Sequence, residues 1–128
     1  MKTKYILVLL LLIVFFFLWR GAKPVPIKSY TMWNQDRTNY LKFTEYTLGV
    51  FGGGYLSIEI NDEEILRYDY TEIYGRWKDD RTVKLVSNKP PSKKWLEKTA
   101  VAFELIQAAT YDDFVSDSLL VHLTKMAY

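Results

Sequence analysis

The chain has 128 residues, with 17 lysines and arginines against 15 aspartates and glutamates, and it contains no cysteine. The missing cysteines exclude disulfide bonds, thiolate metal sites and cysteine nucleophiles. Three of the bases, Lys2, Lys4 and Arg20, flank an apolar N-terminal run, so 14 of the 17 remain against 15 acids in the rest of the chain. This nearly neutral remainder gives no reason to expect a nucleic-acid partner.

Residues 5–19 form an unbroken apolar run, YILVLLLLIVFFFLW. As a helix the run reaches roughly 22 Å, which is short of the hydrocarbon core of about 30 Å and lies near the upper limit of a signal peptide. The residues that follow, RGAKP, offer no pair of small residues at the −3 and −1 positions of a cleavage site. We therefore expect the run to remain in the chain as a membrane helix.

The ends of the run favour the same interpretation. Tyr5 and Trp19 suit the two membrane interfaces, and the side chains of Lys4 and Arg20 can extend toward water. The sequence predicts an uncleaved transmembrane signal-anchor over residues 1–22 that contacts membrane lipid through residues 5–19. A cleaved, secreted form is the lesser alternative, and a buried core helix is a third.

Basic residues are almost equally distributed on the two sides of the run, so the positive-inside rule leaves the orientation open. The short N-terminal tail favours a cytoplasmic N-terminus. Residues 23–26 then form a linker in which Pro24 and Pro26 discourage further helix. We expect residues 27–128 to form one small domain on the extracytoplasmic side, which is periplasmic in a cell with two membranes.

Residues 27–86 predict an antiparallel meander of four to six strands, because short β-rich segments alternate with polar turns. The segments are 27–33, 40–51, 55–60, 65–70, 73–77 and 82–86. Residues 40–51 also fit one face of a helix, so their conformation stays open between strand and helix. The glycines at 52–54 precede a strand rather than a helix, which favours a hairpin or bulge over a phosphate-binding loop.

After the prolines at 90 and 91 the apolar period becomes helical. Residues 93–109 predict a helix capped by Ser92, and residues 110–126 predict a second one, started by a capping box of Thr110 and Asp113. The fold class expected is therefore α+β: a transmembrane helix, an antiparallel meander and two C-terminal helices packed on one face.

The candidates for catalysis are weak. His122 is the only histidine, and no metal-binding or nucleophile motif accompanies it. The acid pairs at 79–80 and 112–113 are explained by turn and helix-start chemistry. We expect no catalytic residue, no metal and no cofactor, and a small hydrolase that uses His122 stays as an alternative.

Charge changes sign along the domain. Residues 59–72 carry six acids against Arg67, and residues 76–98 carry eight bases against three acids. Neighbouring strands could simply neutralise each other, a basic rim could face lipid headgroups, or an acidic hairpin with adjacent aromatic residues could bind a basic protein. The predicted protein-binding residues are Glu59, Asp62, Glu63, Glu64, Arg67, Tyr68, Tyr70, Tyr74, Arg76 and Trp77.

These features predict a membrane-anchored, non-enzymatic domain that binds another protein of unknown identity at the outer face of a membrane. An immunity or inhibitor protein is the leading hypothesis. An accessory or assembly subunit of a membrane protein complex is the alternative. This inference is drawn from architecture, since no motif identifies a family.

Overall fold

The computed structural model describes residues 2–21, 23–49, 52–110, 112–113 and 117–126. The N-terminal helix α1 (Lys2–Gly21) has 20 residues, which corresponds to about 30 Å at ~1.5 Å per residue. It is longer than the apolar run because the polar residues at both ends continue the helix. Its segment Lys2–Arg20 is long and apolar enough to cross a membrane, as a signal sequence also would be, and none of it is buried in the domain. The helix is therefore not part of the protein core.

The first β-sheet has five strands, all antiparallel to their neighbours, in the order β1-β2-β3-β4-β7. Its strands are β1 (Val25–Trp33), β2 (Tyr40–Thr47), β3 (Gly54–Ile60), β4 (Glu63–Tyr68) and β7 (Lys93–Lys94). The first four form the predicted meander, and residues 40–47 are strand rather than helix.

The second sheet has four strands in the order β8-β6-β5-β9. Its strands are β5 (Ile73–Asp79), β6 (Thr82–Ser87), β8 (Ala102–Gln107) and β9 (Val121–His122). β5 pairs antiparallel with β6 and β9, whereas β6 pairs parallel with β8. Six strands precede residue 88, within the four to six expected, but they are divided between two sheets instead of forming one meander.

A main hydrophobic core joins the two sheets, and Val86 and Ala108 form a smaller second cluster. The first sheet contributes mainly alternate residues of its central strands, as a period of two requires when one face is buried. The fully buried side chains are Leu41, Phe43, Leu56, Ile58, Ile65, Leu66, Tyr68, Ile73, Val83, Leu85, Val86 and Leu123. Trp77 links the sheets further, because its indole nitrogen donates a hydrogen bond to the Met32 carbonyl at 2.9 Å.

The glycine triplet forms the β2–β3 connection, as the sequence predicts. Gly52 and Gly53 have φ values of +69° and +72°, which side chains rarely adopt. Gly54 opens β3, where an added Cβ would lie 2.1 Å from the carbonyl oxygen of Tyr46. The first two glycines therefore serve the turn, and the third allows two strands to approach closely.

The prediction of two C-terminal helices is wrong in the described residues. Residues 93–109 form β7, a 3₁₀ turn (Leu96–Lys98) and β8, and Ser92 caps no helix, since its hydroxyl donates to the Arg67 carbonyl at 3.0 Å. Phe103 and Leu105 pack on the core at alternating positions. Phe103 also fits a helical stripe with Ala102 and Ile106, but the parallel partner β6 selects the strand.

Within the second predicted helix, residues 112–113 and Leu123–Met126 are helical, whereas the described residues between them, 117–122, form a turn and β9. His122 lies in β9 and pairs with Tyr74 of β5. Asp113 does accept hydrogen bonds from the amides of Ala109 and Thr110, at 2.7 and 2.9 Å, as expected of a capping acid. Phe114 and Val115, which were assigned to this helix, lie outside the described residues.

Candidate functional site: a hydrogen-bonded loop pole

Four polar connections meet at one end of the two-sheet domain. They are residues 34–39 between β1 and β2, 61–62 between β3 and β4, 80–81 between β5 and β6, and 98–101 before β8. The strand registers align the connections within each sheet, because Trp33 pairs with Tyr40, Leu41 with Ile60, and Thr82 with Ala102. The hydrogen bond from Asn34 to the Asp80 carbonyl joins the two sheets at this end. We call these four connections the loop pole.

Asn34 anchors the largest loop to the second sheet. Its side chain is 2% exposed, and its amide nitrogen donates to the Asp80 carbonyl and the Thr38 hydroxyl, each at 3.0 Å. The amide of Asp36 donates to the Asp80 carboxylate at 3.0 Å. The Asp36 carboxylate accepts hydrogen bonds from the Thr38 hydroxyl and amide, which lower the pKa of Asp36.

Asn61 makes a second connection between loops. Its amide nitrogen donates to the side-chain oxygen of Asn39 at 2.7 Å, and its own oxygen accepts the Tyr40 amide at 3.1 Å. Asn61 and Asp62 have φ values of 51° and 69°, the left-handed conformation that a tight two-residue hairpin turn requires. Asparagine and aspartate tolerate this conformation better than most residues do.

In the described residues, every non-glycine residue with positive φ lies at the loop pole: Arg37, Asn61 and Asp62. Such conformations cost energy and persist only where the surroundings hold them. The cross-loop hydrogen bonds provide that support. The loop pole is therefore a fixed surface whose exposed side chains include Asp36, Arg37 and Arg81.

A cleft of about 550 Å³ opens between the four loops. Its apolar part is formed by Ile60, Ala100 and Val101, and its polar part by Asn39, Asn61, Glu63, Arg81, Lys98 and Thr99. This volume lies in the range typical of ligand-binding clefts, about 300–1,000 Å³.

The ten residues predicted to bind protein do not form one surface. Asp62 belongs to the loop pole and Glu63 lines its cleft. Glu59 is half-buried on β3, opposite Glu64 of β4, and this burial raises the pKa of Glu59. Glu64 pairs with Arg67 at 2.7 Å and accepts the Ser57 hydroxyl at 2.5 Å, and the hydrogen bond to Glu64 raises the pKa of Arg67.

Arg67 is the centre of a row of rings and cations on the outer face of the first sheet. Its guanidinium lies 4.1 Å from the Tyr55 ring centroid and 5.6 Å from that of Trp95. Tyr46 stacks on Tyr55 at 5.0 Å, and the Lys98 ammonium lies 5.3 Å over Trp95. This aromatic–cation row ties the 3₁₀ turn to the sheet and ends at a residue that lines the cleft.

The tyrosines of the predicted set have different positions. Tyr68 is 1% exposed and belongs to the core, where burial raises its pKa to about 12. Tyr70 is exposed, and its hydroxyl donates a hydrogen bond to Glu45, which raises the pKa of Tyr70. Tyr74 lies in the second sheet and stacks on His122 at 4.3 Å with nearly parallel rings.

Arg76 and Trp77 also lie in the second sheet. The Arg76 side chain donates to the Asp117 carboxylate at 2.5 Å, and Lys84 donates to the same oxygen at 3.2 Å. The Arg76 hydrogen bond is the main cause that lowers the pKa of Asp117 to about 2. Asp117 also accepts the amide of Leu119 at 3.0 Å, so this cluster fastens the C-terminal segment to β5 and β6.

His122 and the acid pairs show structural contacts. Burial lowers the pKa of His122, and its ring lies against Tyr74. Asp79 accepts the Arg81 amide at 2.8 Å, which lowers the pKa of Asp79 and shapes the β5–β6 turn. Within the described ranges, no group of three or more acids and histidines is placed to hold a metal ion.

No protein-family model, no curated protein and no solved structure matches this chain. The function must therefore be inferred from the geometry of the chain itself. The residues missed by sequence reasoning are the asparagines Asn34, Asn39 and Asn61 and the cations Arg81 and Lys98. The polar segments NQDRTN, NDEE and KDDR mark three turns, but their meeting at one end depends on the strand pairing.

Proposed function

We propose that this protein is a membrane-tethered, non-enzymatic binding domain that uses the loop pole to bind another protein. The observation that carries the proposal is the fixed loop pole at the far end of β1 from the apolar helix. The tether and the recognition surface then occupy opposite ends of one small domain.

The length of the first strand, β1, determines how far the loop pole lies from the apolar helix. α1 ends at Gly21 and β1 starts at Val25, so few residues separate the helix from the domain. β1 has nine residues, which span about 30 Å at ~3.4 Å per residue. β1 ends beside the loop pole, so residues 34–39 lie that far along the strand from the helix.

The rigidity of the loop pole supports a binding role. Binding to a partner costs free energy for every loop and side chain that must become ordered. Here the hydrogen bonds of Asn34, Asn61 and Asp80 already hold the loops together. Loops carried by a rigid two-sheet framework are a common place for recognition surfaces.

Within this class we favour an immunity or inhibitor protein. With α1 inserted and the domain on the extracytoplasmic side, the loop pole points away from the bilayer. It is then placed to meet a protein that approaches the membrane from outside. The interactions of His122 and of the acid pairs are accounted for by folding, so no observation favours the hydrolase.

An accessory or assembly subunit is the second candidate, and the exposed surface of α1 favours it. Phe15, Phe16 and Phe17 lie on a helix whose described side chains are all exposed. Such a helix can pack laterally against other membrane helices. Exchange of residues 5–19 for an unrelated membrane span distinguishes the two: an inhibitor keeps its activity, whereas a laterally packed subunit loses it.

Site-specific photo-crosslinking in intact cells tests the proposal. A photoreactive amino acid replaces Arg37 at the loop pole or, as the matched control, exposed Lys89 at the opposite end of the domain. We expect a cross-linked protein at position 37 and none at position 89. Cross-linking only at position 89 would refute the loop pole as the binding surface, and its absence at both would refute the binding role.

The identity of the captured protein tests the finer assignment. An exported toxin or enzyme supports the immunity or inhibitor role. Capture of a resident subunit of a membrane complex supports the accessory role instead.

A further inference from the structure

The polar groups around the cleft of the loop pole differ in how many of their hydrogen bonds are made within the protein. Asn61 uses both ends of its amide within the loops, donating to Asn39 and accepting from Tyr40. The Thr99 hydroxyl accepts the Val101 amide at 3.1 Å. These groups stabilise the wall of the cleft and have little capacity left for a ligand.

Arg81 and Lys98 differ from these groups. The main chain of Arg81 makes two hydrogen bonds: its amide donates to Asp79, and its carbonyl accepts the Ala102 amide at 2.8 Å. Its guanidinium also attracts the Asp36 carboxylate at longer range. Within the described ranges, neither the Arg81 guanidinium nor the Lys98 ammonium makes a side-chain hydrogen bond or a close ion pair. Lys98 instead lies over Trp95, at the end of the aromatic–cation row.

The cleft therefore has more donors than acceptors. A guanidinium offers five N–H groups and an ammonium three, and Glu63 is the one acidic residue among the lining side chains. A ligand that complements this wall must bring acceptors and negative charge. A carboxylate is suitable, since the planar fork of an arginine binds it through two parallel hydrogen bonds.

We propose that the cleft binds a carboxylate-bearing segment of the partner protein, either an acidic loop or a chain end. Arg81 binds the carboxylate and Lys98 supplies the second positive charge, while Ile60 and Val101 contact the apolar part of the segment. This inference rests on the proposed function, because it names the chemistry of the surface that the loop pole recognises.

Two observations favour a protein segment over an anionic lipid or a free phosphate. The cleft lies at the end of β1 remote from α1, whereas a headgroup site requires the end near the membrane. Its volume of about 550 Å³ exceeds what one phosphate fills, and Glu63 repels a compact dianion. The same carboxylate can pair with an N–H group of a peptide.

The direct test uses the full chain in uncharged detergent micelles with a hexaglutamate peptide as the probe and hexaglutamine as the neutral control. We expect hexaglutamate to shift the amide resonances of Lys98, Thr99 and Val101, and hexaglutamine to leave them unchanged. The double variant R81Q/K98Q should weaken binding at least about tenfold, since charge-assisted hydrogen bonds are lost. Added salt should weaken the wild-type complex.

The control variant K28Q/K89Q removes the same charge from exposed lysines outside the cleft and should bind like the wild type. Equal binding by R81Q/K98Q and the wild type would overturn the assignment. So would full displacement of the peptide by an equal concentration of inorganic phosphate, or by vesicles of phosphatidylglycerol, since these outcomes identify an anion or headgroup site.

Cross-linking from position 37 separates this inference from the proposed function. If R81Q/K98Q lowers the yield of the cross-linked partner at least about tenfold, both stand. An undiminished yield overturns the carboxylate assignment and leaves the binding role intact. Peptide binding without any cross-linked protein in cells contradicts the binding role, and with it the inference that rests on it.

Discussion

Asn61 shows how much one side chain contributes to the loop pole. It fixes two neighbouring loops and adopts a backbone conformation with φ of 51°. Alanine removes both hydrogen bonds and tolerates this conformation poorly, so N61A should lower the free energy of unfolding by about 2–3 kcal/mol. N61G keeps the conformation accessible and should cost about 1 kcal/mol. Urea unfolding followed by tryptophan fluorescence measures the difference.

N88A is the control, because Asn88 is exposed and only its main chain makes a hydrogen bond in the described part of the chain. It should unfold like the wild type. If N61A were equally stable, the hydrogen bonds of Asn61 would contribute nothing to the loop pole.

Asp117 predicts a specific dependence of stability on pH. Its pKa is lowered to about 2 in the folded protein, against about 3.9 in an unfolded chain. A depressed acid pKa stabilises the fold above the unfolded value, and this contribution is lost as the pH falls through the folded value. The variant D117N should melt at a lower temperature than the wild type between pH 5 and 8, and the gap should close between about pH 4 and pH 2.

Melting curves at several pH values measure this gap. The control is D69N, since Asp69 is exposed and has no hydrogen bond or ion pair with any described residue. A gap for D117N that is independent of pH would mean that the carboxylate charge is not what fastens the C-terminal segment.

At the scale of the elements, the glycine triplet allows the cost of a steric contact and the cost of a positive φ to be measured at separate positions. G54A places a Cβ against the Tyr46 carbonyl and should destabilise the protein by about 1–3 kcal/mol or more through strain in the β2–β3 pair. G53A meets no atom within 4 Å and pays only for its positive φ, about 1 kcal/mol. Thermal unfolding of the two variants compares contact with conformation. G53A melting below G54A would contradict this assignment.

The strands before residue 87 could be predicted because their pairing is local. Each hairpin joins neighbouring segments, and turn residues such as Asn61 and the glycines at 52–54 mark the boundaries. The sequence carries no comparable signal for the division into two sheets, because that division depends on which strands face each other across the core.

β8 could not be predicted for a related reason. Phe103 and Ile106 fit a helical stripe, whereas Phe103 and Leu105 fit an alternating strand. The choice is made by pairing with β6, whose residues lie about twenty positions earlier. A parallel pair of this kind needs a long crossover, so local sequence does not specify it.

The same limit applies to the candidate site. The acidic and aromatic residues near the β3–β4 hairpin were visible in the sequence, and of these Asp62 belongs to the loop pole and Glu63 lines its cleft. Tyr68 belongs to the predicted set because aromatic residues are interleaved with charged ones in this stretch, yet it is a core residue. Arg81 and Lys98 belong to different segments, so only the fold shows that they line one cleft.

At the scale of the whole molecule, α1 predicts that the protein is bound to a membrane. We expect the protein to remain with membranes after alkaline carbonate extraction, and mass spectrometry of that fraction to recover a peptide that contains residues 5–19. The variant L10R/I13R should release it, because arginine at the centre of a span costs about 2.5–3.5 kcal/mol per residue. A soluble wild-type chain that starts near Lys23 would show that the helix is removed as a signal.

The position of β1 between the helix and the loop pole has a mechanical consequence. If a captured partner pulls on residues 34–39 while α1 is held in the bilayer, the force runs parallel to β1. The stretch of chain between the two points of load is β1 itself, which is already extended, so its covalent backbone carries the tension and the hydrogen bonds to β2 bear little of it. This geometry lets a small domain resist tension along the direction in which its anchor would transmit it.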